Sequence, residues 1–140
     1  MAYNKTEHLR RNIEAIRTAF ALEREQRAAT PEERDVLRAY SGFGAINEVL
    51  EPLPHKKETA LTPLIEELHA VLKENTGGER EYKRYLDSLK ASVLTAFYTP
   101  EPVTDAIMRM LYNAGVVPVR ALEPSAGTGA FAEYLRRYNE

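Results

Sequence analysis

Along most of this chain apolar residues recur at helical spacing. Leu9, Ile13, Ile16 and Phe20 fall at i, i+4, i+7 and i+11, one stripe of an amphipathic helix over residues 6–29. Thr30 then reads as an N-cap, with Pro31 at the first helical position and Glu33 closing a capping box; this helix ends near Tyr40. Ser41-Gly42-Phe43-Gly44 breaks it, because two glycines in three residues favour a turn. Residues 51–60, with Pro52, Pro54 and Lys56-Lys57, read as an exposed connection. Thr62-Pro63 opens a helix that buries Leu64, Ile65, Leu68, Val71 and Leu72, and Thr76-Gly77-Gly78 stops it. The next runs from Glu79 to about Leu94 on Tyr82, Tyr85, Leu86, Leu89 and Val93.

The pattern then changes. Phe97-Tyr98-Thr99-Pro100 is extended, since a residue before proline is pushed out of the helical region. Taken alone this string is a turn with Thr99 as N-cap and Pro100 as first helical residue, and a helix follows from about Glu101 to Asn113 carrying Val103, Ile107, Met110 and Leu111, with Gly115 as its stop. Val119–Glu123 is the one strand expected, and Ala130–Tyr138 the helix after it. Strand, loop and helix form the first half of a βαβ unit. A lone parallel strand does not satisfy its own backbone groups, so the sequence reads as stopping before the second strand. The expected fold is mainly α: a helical N-terminal region, 1–95, followed by the truncated start of an α/β domain, 96–140.

Composition narrows the chemistry. Hydrophobic residues make up 44%, enough for a core. Lys plus Arg number 19 against 21 acids, a net charge of -2, and residues 1–60 hold ten of each sign. A self-sufficient nucleic-acid binder carries a basic surplus for the phosphates, and none is present. With no cysteine, disulfides, thiolate zinc sites and cysteine nucleophiles are excluded. His8, His55 and His69 have no partner at metal-ligand spacing, so no metal site is expected. No apolar run approaches the roughly 18 residues of a membrane span, and the polar N-terminus has no signal-peptide pattern; the expectation is a cytoplasmic protein with no membrane partner.

The candidate chemistry lies in Glu123-Pro124-Ser125-Ala126-Gly127-Thr128-Gly129-Ala130-Phe131. A strand that runs through a glycine turn into a helix N-terminus presents free backbone N–H groups to a ligand. A P-loop requires Gly-Lys-Ser/Thr, and there is no lysine here. The spacing Gly127-x-Gly129-x-x-Ala132 fits a dinucleotide fingerprint, but Glu-Pro-Ser-Ala intervenes between strand and first glycine. Glu123 at the strand end suits an amino-bearing ligand better than a pyrophosphate. A turn that serves only folding is the alternative for any isolated Gly-x-Gly.

The whole string resembles the first motif of class I S-adenosylmethionine-dependent methyltransferases with a Rossmann-like fold, and is closest to the adenine-N6 DNA methylases. In that family the loop cradles the methionine end of S-adenosylmethionine. Phe97-Tyr98-Thr99-Pro100-x-x-Val103 is similar to a second element of the same enzymes, which folds over the cofactor. Its 23-residue spacing from Pro100 to Glu123 leaves room for one helix and a turn. The resemblance implies cofactor contacts from Phe97, Tyr98, Thr99, Pro100, Glu123, Pro124, Ser125, Ala126, Gly127, Gly129 and Phe131.

Residues 8–50 resemble the segment ahead of the methylase motifs in very large methylase–helicase proteins of bacterial mobile elements and phages. Thr30-Pro31-Glu32-Glu33, Leu37, Tyr40, Gly42, Phe43 and Gly44 carry this likeness, and Ala45 departs from it where glycine is usual. The resemblance covers about residues 9–132. It implies a parent enzyme that methylates the exocyclic amine of adenine in DNA, on a base taken out of the stack, with a possible helicase domain in the same protein. The Asn/Asp-Pro-Pro-Tyr/Phe motif that holds the base is absent from these residues, so no catalytic residue is assigned and the chain alone is expected to be inactive. Two other readings remain: a helical module that docks the methylase onto its helicase, and part of a nicotinamide-dependent enzyme. Arg10, Arg11 and Arg17 offer a weak DNA-contacting arm, and Tyr82-Lys83-Arg84-Tyr85 reads as core rather than as a nucleic-acid surface.

Overall fold

The computed structural model describes residues 4–44, 46–50, 58–124, 126–127 and 129–139. Ala45, His55, the Pro52, Pro54, Lys56 and Lys57 of the connection, and Ser125 and Thr128 of the glycine loop lie outside the described residues. The helices are α1 (Lys5–Glu25), α2 (Pro31–Arg38), α3 (Thr62–Glu74), α4 (Glu79–Thr95), α5 (Glu101–Asn113) and α6 (Ala130–Asn139), with a 3-10 turn at Asn47–Leu50. The chain divides into two compact units, Met1–Ala96 and Phe97–Glu140.

Local chemistry sets both ends of α1 and the start of α2. Asn4 caps α1 by accepting from the Glu7 N–H at 3.2 Å. The helix ends at Glu25 rather than near residue 29, because Gln26 takes a left-handed conformation (φ 52°) and donates back to the Glu23 and Leu22 carbonyls. The Thr30 capping box is formed in both directions: Thr30 Oγ1 accepts from the Glu33 N–H at 3.3 Å, and Glu33 accepts from the Thr30 N–H at 2.9 Å. Arg27 grips the same Glu33 carboxylate through two 2.6 Å hydrogen bonds. This pair holds Glu33 at about 2, well below the ordinary carboxylate range, with the Thr30 N–H as the next cause.

The core of the unit joins Leu9 and Ile13 of α1, Phe43, Ile46 and Val49 after α2, Ile65, Leu68, Val71 and Leu72 of α3, and Leu89 and Val93 of α4. Ile16, Phe20, Leu64, Tyr82 and Tyr85 pack on it from the rim. Leu64 is thus half-buried, where its spacing predicted burial. Burial of apolar surface at about 25 cal/mol per Å² drives this assembly. Arg17–Glu67 (2.8 Å) is an exposed ion pair that contributes little, and Lys5–Glu48 (2.7 Å) a half-buried one.

A polar fastening holds the turn after α2. Asn12 is fully buried; its Oδ1 accepts from the Ser41 N–H at 2.9 Å and its Nδ2 donates to the Gly42 carbonyl. The Phe43 N–H donates to Ser92 Oγ of α4 at 3.1 Å. Gly42 sits at φ 70°, a region that glycine enters without penalty. The Gly42-Phe43 turn is therefore a core element: Phe43 keeps 2% of its surface.

In the second unit α5 and α6 lie side by side. Tyr134 Oη donates to Glu101 Oε1 at 2.6 Å, and Tyr138 Oη to Asp105 Oδ1 at 3.1 Å. Both pairs are 33 residues apart in sequence. A constant offset over successive turns means that the two helices run in the same direction. The segment between them returns against both. Two expectations change here. Val119–Glu123 is not a strand: Val119 and Arg120 form a bend, and 121–123 have no regular structure. A strand exists only with a neighbour to take its N–H and C=O groups, and no strand occurs among the described residues. The apolar stripe of α5 is the open one, with Val103, Ile107, Met110 and Leu111 exposed and Thr104 and Met108 buried instead.

Candidate functional site

The parallel course of α5 and α6 puts both of their N-termini at one end of the second unit. Glu101 is the first residue of α5 and Tyr134 the fifth of α6, so the two helices begin within about one turn of each other along their axes. Phe97-Tyr98-Thr99-Pro100 leads into the first helix and the glycine loop into the second. The two sequence elements read as a cofactor site thus enter the unit at the same end.

Glu123 is half-buried where the loop begins, Pro124, Ala126 and Gly127 are exposed, and Gly129 and Phe131 are half-buried. Gly127 (φ 53°) and Gly129 (φ 83°) both take a positive φ, a region that glycine enters without penalty. The Gly129 N–H donates to the Ala126 carbonyl at 2.7 Å, and the Gly129 carbonyl accepts the first helical bond, from Glu133 N–H, at 3.0 Å. A Cβ added at Gly129 would meet nothing within 4 Å, so the face of the loop is open. Phe97 is 67% and Tyr98 38% exposed, and Thr99 and Pro100 are exposed beside them. α5 starts at Glu101, as expected, but Thr99 is not the N-cap: Pro100 takes that position without a side-chain hydrogen bond, and Pro102 stands in its first turn.

The electrostatics at this end are set by tyrosine–carboxylate contacts. The hydrogen bond to Glu101 pushes the Tyr134 hydroxyl up to about 12. Arg136, and then Arg137, hold Glu133 below its ordinary range. Arg109 pairs with Asp105 at 2.7 Å, which raises the arginine further. The crevice between α5, residues 116–118 and α6 has a volume of about 10 Å³. Ligand pockets run to hundreds of Å³, so a cofactor at this site would lie along the open loop and not in that crevice.

Among the described residues no group of three or more His, Asp or Glu side chains could hold a metal ion, and no helix is long and apolar enough to cross a membrane. Two of the three arginines offered as a weak DNA-contacting arm are occupied, Arg11 by Glu7 at 2.8 Å and Arg17 by Glu67. Tyr82 donates to or accepts from His69 Nδ1 at 2.7 Å, and Tyr85 packs edge-on against Phe20, as core residues do. Sequence reasoning missed Asn12 and Ser92, which fasten the glycine turn of the first unit. No protein-family model, curated protein or solved structure matches this chain.

Proposed function

We propose that this chain is the N-terminal part of an S-adenosylmethionine-dependent DNA adenine-N6 methyltransferase. The first unit serves as a helical platform, and the second begins a Rossmann-like cofactor-binding domain. The observation that carries the reading is the convergence of Phe97–Pro100 and the 123–131 loop at one end of a parallel helix pair. In a doubly wound domain the helices before and after the first strand both run against it, and ligands bind outside the carboxyl end of the strands. The exposed Val103, Ile107, Val119 and Leu122 are positions that a central sheet would cover. The open face at Gly129 fits a ligand held by backbone N–H groups at the start of α6. In this reading those groups take the methionine carboxylate, and Glu123 accepts from its amino group; the cofactor supplies the methyl group. A docking module for a helicase is the second reading, supported by the exposed apolar stripe of α5.

The test is calorimetric titration of S-adenosylmethionine, and separately of NAD, into the protein that carries this chain. Gly127→Leu should abolish cofactor binding, since leucine at φ 53° is strained and fills the approach. Glu123→Ala should weaken it about tenfold to hundredfold, the loss of one charge-assisted hydrogen bond. Glu25→Ala should leave it unchanged. Binding of S-adenosylmethionine at wild-type strength by both loop variants overturns the site, and binding of NAD by the unmutated protein overturns the function.

A further inference from the structure

A cleft of about 290 Å³ opens in the first unit between α1, α3, α4 and the turn after α2. Its floor is apolar, with Leu68 fully buried, and four aromatic rings wall it: Phe20, Tyr40, Phe43 and Tyr85. The rings form two edge-to-face pairs, Phe20–Tyr85 with centroids 5.5 Å apart at 78° and Tyr40–Phe43 at 6.2 Å and 74°. Glu23 stands exposed in the lining and has no ion pair among the described residues. The volume lies just below the range of drug-sized sites and suits one long side chain or one small ring.

Three features choose between occupants. An apolar floor holds methylene groups. Aromatic faces attract a cation placed within about 6 Å, and Tyr85 of the lining already does so, with Arg84 5.6 Å from its centroid. Glu23 is the one charged residue in the lining, and its sign is negative. An anionic or phosphate-bearing ligand is disfavoured by that charge, and a purely apolar one leaves it unused. We propose that the cleft is a receptor for a single long cationic side chain, of arginine or lysine type, presented by a partner protein: the stem lies along Ile16 and Ala19 above the buried Leu68, the head lies among the rings, and Glu23 faces its charge.

The probe is n-butylguanidinium, titrated into the ¹⁵N-labelled 140-residue chain at fixed pH and ionic strength, with neutral n-butylurea and anionic pentanoate as comparisons. Saturable shifts are expected at the amides of Ala19, Phe20, Glu23 and Ser88, with butylurea and pentanoate at least threefold weaker. Glu23→Gln, an exposed change that leaves the packing intact, should reduce guanidinium affinity about threefold to tenfold and leave that of butylurea unchanged. Equal binding of butylurea and butylguanidinium by the wild-type chain, a cation preference that survives Glu23→Gln, or the absence of saturable shifts at these amides would each overturn the proposal.

Discussion

Tyr134 donates a 2.6 Å hydrogen bond to the Glu101 carboxylate, and this contact joins the first turn of α5 to the second turn of α6. The donor is the neutral phenol, so the contact favours the protonated form and the hydroxyl rises from its ordinary 10.0 to about 12. A group whose value is raised on folding contributes stability below its unfolded value and loses it as the pH climbs through the folded one. Contact between α5 and α6 should therefore hold up to about pH 10 and weaken between there and pH 12. Phenolate absorbance during an alkaline titration checks this, and Glu101→Gln should bring the Tyr134 transition back towards 10. An unchanged transition in that variant would sever the link.

The capping box at Thr30 gives a prediction of opposite sign. Glu33 is depressed from 4.5 to about 2, so its contribution is present above 4.5 and is lost as the pH falls towards 2. Glu33→Gln should remove this acid dependence. Thr30→Ala should cost about 1 kcal/mol at neutral pH. Urea unfolding followed by circular dichroism at pH 7 and pH 3 measures both effects, and added salt should shrink the Glu33 part because the site is exposed.

Asn12→Ala removes two hydrogen bonds to the backbone and a third, from the Ser41 hydroxyl, at a fully buried site, and strands the Ser41 N–H and Gly42 carbonyl. It should destabilise the first unit by about 2–4 kcal/mol, and Ser92→Ala, which strands the Phe43 N–H, by about 1 kcal/mol. Urea midpoints for the two single variants decide the order. A smaller effect from Asn12→Ala than from Ser92→Ala would show that the Ser92 bond to the Phe43 N–H, not Asn12, is the main fastening of the turn.

Val119 and Leu122 expose 95% and 91% of their surface. Val119→Ser and Leu122→Ser should each change the stability of this chain by less than about 0.5 kcal/mol. Leu68→Ala, in the core, should cost about 2–5 kcal/mol. In a longer protein of the proposed kind, where a sheet covers these positions, serine at 119 or 122 should instead be destabilising. The same pair of variants measured in both contexts separates the two outcomes.

What was legible in the sequence was what neighbouring residues decide. The Thr30 box, the start of α3 at Thr62 and the positive φ of Gly127 and Gly129 each arise within a few residues, and each reads off the local string. Asn12 and Ser92 were invisible, because their partners lie 29, 30 and 49 residues away and nothing in the adjoining sequence marks them. Periodicity on α5 identified an apolar stripe but not whether anything covers it. For Val119–Glu123 the residue types favour a strand, yet strand formation depends on a neighbour that local sequence does not supply. At the candidate cofactor site the glycines that take positive φ, Gly127 and Gly129, were legible, and the parallel direction of the helices, which brings its two parts to one end, was not.

That shared direction also has an electrical consequence. Each helix carries a macrodipole equivalent to about half a positive charge at its N-terminus. In an antiparallel pair these fields cancel, whereas in α5 and α6 they add. Two half charges about 10 Å apart repel by roughly 0.4 kcal/mol at an effective dielectric of 20. The chain offsets this with its own side chains: Glu101 and Glu133 stand in the first turns, and Arg136 and Arg137 in the last turn of α6. The backbone alone thus makes the end that carries Tyr98 and Gly127 electropositive, in a chain whose net charge is -2.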